Sequence, residues 1–223
     1  MKKYLLTLCL MFFSLSAGTS EAAPQIQQEI VDALKPKLNS DRIEYFFGSY
    51  GVDVLNIQSS AFPGSRFSNL YSVSQGQKIM RTLAIVDFFQ PSYPELSQAH
   101  REVMEGKSIG IALRDNGWIL HKKPVYFGST SLSPGLMRWM EEPTIGQGAL
   151  HIYRLEVSKN GQHESIPYCT IIEVHSPQYL TIEWLQALYP EQYQVFSVQS
   201  KEVTAFLCRL TTLIQNFPFP ANE

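Results

Sequence analysis

Apolar residues alternate with polar ones along some stretches of this chain and recur at helical spacing along others, and the two periods predict different elements. Residues 25–36 set Ile26, Ile30, Val31 and Leu34 on one stripe and predict an amphipathic helix. Asn39-Ser40-Asp41 breaks it. Residues 42–47 and 52–58 read as extended, with Gly48 and Gly51 bending the chain between them. Residues 66–73 read as a strand, Ser74-Gln75-Gly76-Gln77 as a turn and residues 78–88 as the returning strand, the clearest hairpin in the chain. Ser92 and Glu95 stand at capping-box spacing and Pro94 suits a first turn, which predicts a helix to about residue 105, stopped by Gly106.

The second half repeats the alternation. Residues 108–114 read as a strand, Asp115-Asn116-Gly117 as a turn and residues 118–127 as the next strand. Residues 128–148 are rich in Ser, Gly and Pro yet hold Leu136, Met137, Trp139 and Met140, which suits a loop with a short helix packed over something. Residues 149–157 and 166–175 form a second hairpin that turns at Lys159-Asn160-Gly161. Residues 181–189 read as a helix, as do residues 200–215, where Val203, Phe206, Leu207, Leu210, Leu213 and Ile214 form a core stripe.

Three charges interrupt this pattern where a charge is expensive. Strand alternation puts Arg81 on the face of Ile79, Leu83 and Ile85, and Glu173 on the face of Cys169 and Ile171; Arg66 opens the first hairpin. Charged side chains are rarely buried alone, because isolated burial costs several kcal/mol or shifts the pKa. Two guanidiniums and a carboxyl on apolar faces suggest a polar pocket inside a β structure, with Arg66, Arg81 and Glu173 converging behind residues 128–148. An internal salt bridge or an exposed second sheet face are the alternatives.

Composition adds location and excludes partners. Lys2 and Lys3 precede an apolar run over residues 4–13, and Ser20-Glu21-Ala22 fits a small-x-small cleavage site before Ala23. The run is short for a membrane span, and Cys9 lies before the cleavage region, which argues against a lipid anchor. The expectation is a bacterial chain exported to the periplasm or medium and cleaved near Ala22/Ala23, with no membrane span. A net charge of -2 gives no reason to expect nucleic acid as a partner. Cys169 and Cys208 remain after cleavage, and whether they pair is open, since sequence cannot show proximity. Neither belongs to a CxxC pair, and the histidines show no ligand spacing, so no metal site is expected. Neither Gly-x-Ser-x-Gly nor a Walker loop occurs.

The order helix, strand pair, hairpin, helix, strand pair, loop, hairpin resembles the chorismate lyase fold. Phe47-Gly48-Ser49-Tyr50-Gly51-Val52-Asp53-Val54 resembles that family's early Phe-x-x-x-Gly segment. Arg66, Asn69-Leu70-Tyr71-Ser72, Gly76 and Arg81-Thr82 resemble its first hairpin, where a substrate-binding arginine precedes an Arg-Thr pair by the same interval. Gly106-Lys107-Ser108-Ile109-Gly110 looks like its Gly-Lys turn, and Arg154, Gly161, Pro167 and Glu173-Val174-His175-Ser176-Pro177 resemble its last hairpin. The resemblance covers roughly residues 41–180. The chain departs from the family in its export segment and in running on from Pro177 to Glu223.

The resemblance implies an α+β fold: an antiparallel sheet with flanking helices and an internal ligand pocket. Residues 1–22 would be the signal peptide, 23–180 the lyase-like domain and 181–223 a helical extension packed on it. Arg66 would grip a ring carboxylate and Arg81 would assist. Ile109 would supply a backbone contact and pocket wall, and Glu173 would sit by the ring oxygen as the catalytic group. The family reaction removes pyruvate from chorismate and leaves 4-hydroxybenzoate. Arginine suits carboxylates because its planar fork binds them bidentately, and a carboxyl beside the departing oxygen can donate a proton or hydrogen-bond the ring hydroxyl. Aromatisation supplies much of the driving force, so no cofactor is implied. A small aromatic carboxylate is the expected partner. The same fold also serves as a small-molecule sensor, so non-catalytic binding of such a ligand, or an interaction protein that has lost the pocket, are alternatives.

Overall fold

The computed structural model describes residues 26–89, 94–143, 146–159, 164–198 and 200–216, apart from the side chain of Glu202. The expected signal peptide, Ser92 of the capping pair and the Asn160-Gly161 turn lie outside the described residues. The fold is α+β, built on a six-stranded antiparallel sheet with flanking helices.

Two short helices, α1 (Gln28–Leu34) and α2 (Asn39–Phe47), precede β1 (Gly51–Leu55), which pairs with the hairpin β2 (Arg66–Ser74) and β3 (Gln77–Phe88). Gln75 and Gly76 both take positive φ at the tip, the mirror-image turn that matches strand twist. A 3-10 turn (Pro94–Leu96) leads into α3 (Ser97–Met104), and α4 (Ile109–Asp115) follows. The long strand β4 (Trp118–Ser131), α5 (Pro134–Trp139) and the hairpin β5 (Gln147–Lys159) and β6 (Ile166–His175) complete the sheet. Helices α6 (Ile182–Leu188), α7 (Pro190–Phe196) and α8 (Lys201–Gln215) end the described chain. The strand order is β1-β2-β3-β6-β5-β4, so the two hairpins meet through β3 and β6 in the middle.

Both faces of the sheet are covered. On one, Val31, Leu34 and Ile43 of α1 and α2 and Leu185 and Leu188 of α6 form one cluster, and Leu96, Ala99 and Leu113 of the α3–α4 region form another against Tyr153, Leu155, Cys169 and Ile171. On the other, Leu136 and Met140 of the α5 region and Leu210, Leu213 and Ile214 of α8 cover Phe67, Leu83, Ile85, Ile152 and Ile172. Central strands buried on both faces read as nearly unbroken apolar runs, as β3 does from Ile79 to Val86.

Two elements differ from expectation. Residues 42–47 and, from the stretch 108–114, residues 109–114 fall in helices, not strands, with Ser108 as the N-cap of the second. The β-branched and aromatic residues there favour strand by propensity, but Ile43, Phe46 and Phe47, and Ile109, Ala112 and Leu113, also stand at i, i+3, i+4. The sheet supplies the apolar surface that such short helices need. The expected breaker Asn39-Ser40-Asp41 is the first turn of α2, and Asp41 accepts from the backbone N–H of Leu38 at 3.4 Å. Gly48, with φ 71, ends α2 in the left-handed conformation that a glycine adopts without strain. The region 128–148 contains the end of β4, α5 and the start of β5, and its apolar residues face α8. Cys169 is buried in the sheet and Cys208 is exposed on α8; both are free.

Candidate functional site

Strand register assembles a polar patch on the face covered by α2 and α4. Arg66, Val86, Ile171 and Tyr153 are cross-strand neighbours in one row, and Ser68, Ala84, Glu173 and His151 in the next. Ala84 is small, which leaves space beside Glu173. Above this space the start of α2 brings Leu38, Asn39 and Ser40, and the start of α4 brings Ser108, Ile109 and Gly110. Gly110 lets α4 approach: a Cβ there would stand 2.4 Å from Leu38 Cδ1. The result is a cavity of about 70 Å³, closed at its sides by Tyr50, Leu120 and Lys122. On the order of five waters, or one small planar molecule, would fill it.

Arg66, Ile109 and Glu173 thus line one cavity. Arg66 is buried, and burial lowers its pKa from the usual arginine value. Its Nε donates to Ser68 Oγ at 3.0 Å, and its Nη1 donates to the carbonyls of Val103 at 2.6 Å and Lys107 at 3.2 Å. The Val103 carbonyl belongs to the last turn of α3 and also accepts from the Gly106 N–H at 3.1 Å, and the Lys107 carbonyl lies in the link between α3 and α4. Nη2 makes no hydrogen bond among the described residues and is the nitrogen left for a ligand. Beside Arg66, the Tyr50 hydroxyl is buried and meets no partner at hydrogen-bond geometry among the described residues, and burial raises its pKa although the nearby Ser108 side chain and Arg66 lower it.

Glu173 is held by a buried network that reaches it from α2 and from β5. Its Oε1 accepts from Asn39 Nδ2 at 3.0 Å and from Tyr153 Oη at 3.3 Å. The Tyr179 hydroxyl donates to Asn39 Oδ1 at 2.6 Å, which orients the Asn39 amide. His151 Nδ1 and His175 Nε2 each lie 3.8 Å from Glu173 Oε2, beyond hydrogen-bond reach. His151 stacks on Phe127 at 4.4 Å, and His175 Nδ1 meets Thr82 Oγ1 at 2.9 Å. Burial pushes both imidazoles down, His151 well below its ordinary value and His175 to about 4 although Glu173 pulls it up, so both are neutral at neutral pH.

Arg81 lies outside that lining. Register shifts between Leu70 and Tyr71, so β2 pairs Leu70 with Thr82 and Tyr71 with Met80, and Arg81 falls between the pairs. It donates to Ser72 Oγ at 2.8 Å and to Gln178 Oε1 at 3.4 Å, and its guanidinium sits 3.8 Å from the centre of the Phe47 ring. These contacts tie the hairpin to the end of α2 and to the turn after β6.

No protein-family model and no curated protein matches this chain.

Sequence reasoning passed over Asn39, Tyr50, Lys122, Tyr153, His151 and His175. The two histidines had a readable signal, since the last hairpin's register sets His151 opposite Glu173, and His175 two residues along the same face. Lys122 shares the alternation of β4 and lies with its Nζ 4.7 Å from the Tyr153 ring centre, a second cation at the cavity. Among the described residues no group of His, Cys, Asp and Glu converges to hold a metal ion, and no helix is long and apolar enough to cross a membrane.

Proposed function

We propose that this chain is an exported protein that binds a small aromatic carboxylate in the Arg66–Glu173 cavity. Arg66 meets the ligand carboxylate through Nη2, assisted by the Tyr50 hydroxyl, and Glu173 takes the ring hydroxyl. The observation that carries this reading is that an arginine and a carboxylate far apart in sequence line one small cavity with tyrosine and aliphatic walls. The charges suit a monoanion: Arg66 on β2 and Lys122 on β4 stand on either side of Glu173 on β6, and Glu173, already bonded to Asn39 and Tyr153, is fixed to accept from a phenol.

The reaction this arrangement serves, by the resemblance, is pyruvate elimination from chorismate. The bond from the ring carbon to the enolpyruvate oxygen breaks, and the neighbouring ring carbon loses a proton to complete the aromatic ring. The enolpyruvate takes up a proton and becomes pyruvate. Glu173 is the group placed for proton work, and positioning with electrostatics is what the site contributes. Incubating the protein with chorismate and assaying pyruvate and 4-hydroxybenzoate tests this; absence of both products removes the lyase step. The cavity volume favours a second reading, binding without turnover. About 70 Å³ is well under the roughly 300–1,000 Å³ of most ligand sites, and chorismate carries a second carboxylate arm beyond its ring.

Tyr50→Phe separates binding from stability. Among the described residues the Tyr50 hydroxyl meets no partner at hydrogen-bond geometry, with the Ser108 side chain close by, so its removal leaves the melting temperature nearly unchanged. If it contacts the ligand, calorimetric affinity for 4-hydroxybenzoate falls by about tenfold, the worth of one hydrogen bond to a charged group. Unchanged affinity would place the carboxylate elsewhere. N-terminal sequencing of protein from the periplasm or medium, with Ala23 expected first, tests export.

A further inference from the structure

We propose that a second site, on the opposite face of the sheet beneath α8, binds a monoanionic amphiphile, a medium-length aliphatic chain ending in a carboxylate. The groove there has a volume of about 260 Å³, just under the roughly 300–1,000 Å³ typical of ligand pockets. Its floor is buried and apolar, made by Ile152, Ile172 and Phe62, and its walls are Val125 with Val203 and Phe206 of α8. Water in such a groove finds few polar partners on the floor. An aliphatic chain loses nothing there and leaves solvent.

The rim supplies the charge. Asp87 on β3, Thr170 on β6 and Arg154 on β5 are register neighbours and form one polar row across the end of the floor. Arg209 of α8 joins them from above. Asp87, Arg154 and Arg209 are exposed. Among the described residues, neither arginine is paired with a carboxylate. Arg209 holds the carbonyl of Ala61 through Nε at 3.1 Å and through Nη2 and lies over the Phe62 ring, which steadies its guanidinium and leaves Nη1 without a hydrogen bond among the described residues. Two guanidiniums and one carboxylate leave a single positive charge, which one carboxylate headgroup neutralises. The planar fork of arginine suits that headgroup.

Octanoate is the probe, titrated by calorimetry at neutral pH, with octylammonium as the charge-reversed control. Octanoate is expected to bind saturably and octylammonium about tenfold or more weakly. Arg154→Gln, which breaks no hydrogen bond seen in the fold, is expected to weaken octanoate by about tenfold. Val203→Trp narrows the groove from the α8 side and is expected to abolish binding, with thermal melts confirming that both variants stay folded. Tyr50→Phe, in the other cavity, leaves octanoate affinity unchanged. Absence of saturable octanoate binding, equal binding of octylammonium, or affinity unmoved by both Arg154→Gln and Val203→Trp overturns the proposal. None of these outcomes depends on whether 4-hydroxybenzoate binds beside Arg66.

Discussion

Arg66→Ala will destabilise the fold by about 3 kcal/mol and, in the protein that remains folded, abolish 4-hydroxybenzoate binding. The stability loss follows from what Arg66 touches. Its Nη1 joins the carbonyls of Val103 and Lys107, at the end of α3 and just before α4, to the first residue of β2. Alanine removes the charged donor from both carbonyls and from Ser68 Oγ, leaving Val103 with the Gly106 N–H, and a hydrogen bond to a charged group is worth about 1.5–3 kcal/mol. The total exceeds the ordinary surface effect because Arg66 is buried and three of its hydrogen bonds are lost at once. The binding loss follows from Nη2, the remaining donor. Arg66→Lys restores the charge but offers one nitrogen for three acceptors and a ligand, so it recovers only part of both effects. Urea melts read the first effect, and calorimetry below the transition reads the second. A variant as stable as the parent would mean that the carbonyl contacts are not what holds α3 and α4. A less stable variant that still binds 4-hydroxybenzoate would make Arg66 purely structural and move the carboxylate grip to Lys122 or away from this cavity.

Charge on an apolar strand face was the signal that found Arg66 and Glu173, because alternation places a side chain on a face without any knowledge of its neighbours. Both hairpins were legible for the same reason, helped at the first by Gln75 and Gly76 in its tip. The elements that roof the cavity were not. Helices α2 and α4 are short and carry β-branched or aromatic residues, so propensity and spacing disagree within each, and only the sheet beneath decides between them. Asn39 therefore read as part of a breaker, although it is the residue that holds the Glu173 carboxylate. Arg81 read as a third pocket residue because it is a charge in an apolar strand, but alternation groups it with Leu83 and Ile85, which lie under α8 on the face opposite Ala84 and Glu173. The irregularity beside Tyr71 takes Arg81 out of the β2–β3 register, and nothing local in the sequence announces it.

Acid will unfold this protein through its buried histidines before its carboxylates matter. His175 titrates at about 4 in the fold, against an ordinary value of 6.5, and His151 lies well below 6.5 for the same reason, burial. Between those values the unfolded chain binds protons that the folded chain refuses, so stability falls as pH drops from 6.5 toward 4 and is flat in this respect above 6.5. A depression of that size at His175 corresponds to on the order of 3 kcal/mol, and His151 adds to it in the same direction. The surroundings fit that sign. Around His175 stand Thr82 Oγ1, the edge of the Tyr179 ring, Glu173 Oε2 and, farther off, Arg42 and Lys122; around His151 stand the rings of Phe127, Tyr153 and Tyr189 and the same Glu173 oxygen. The one carboxylate pulls His175 up, but burial and two cations outweigh it. Glu102, held at about 2 by Lys107, Gln98 and Asn116, loses its contribution only as pH falls from 4.5 toward 2, so the two windows are distinct. Thermal melts from pH 7.5 to 4 should therefore show a drop of roughly 10 °C centred between pH 6.5 and 4.5. His151→Phe keeps the ring stack on Phe127 and removes one titrating group, and His175→Gln removes the other while keeping a partner for Thr82. The double variant should lose most of the drop, whatever its stability at pH 7.5. A parent protein whose melting temperature is level across that range, or a double variant with the parent's profile, would show that the imidazoles are not buried as neutral groups beside Glu173.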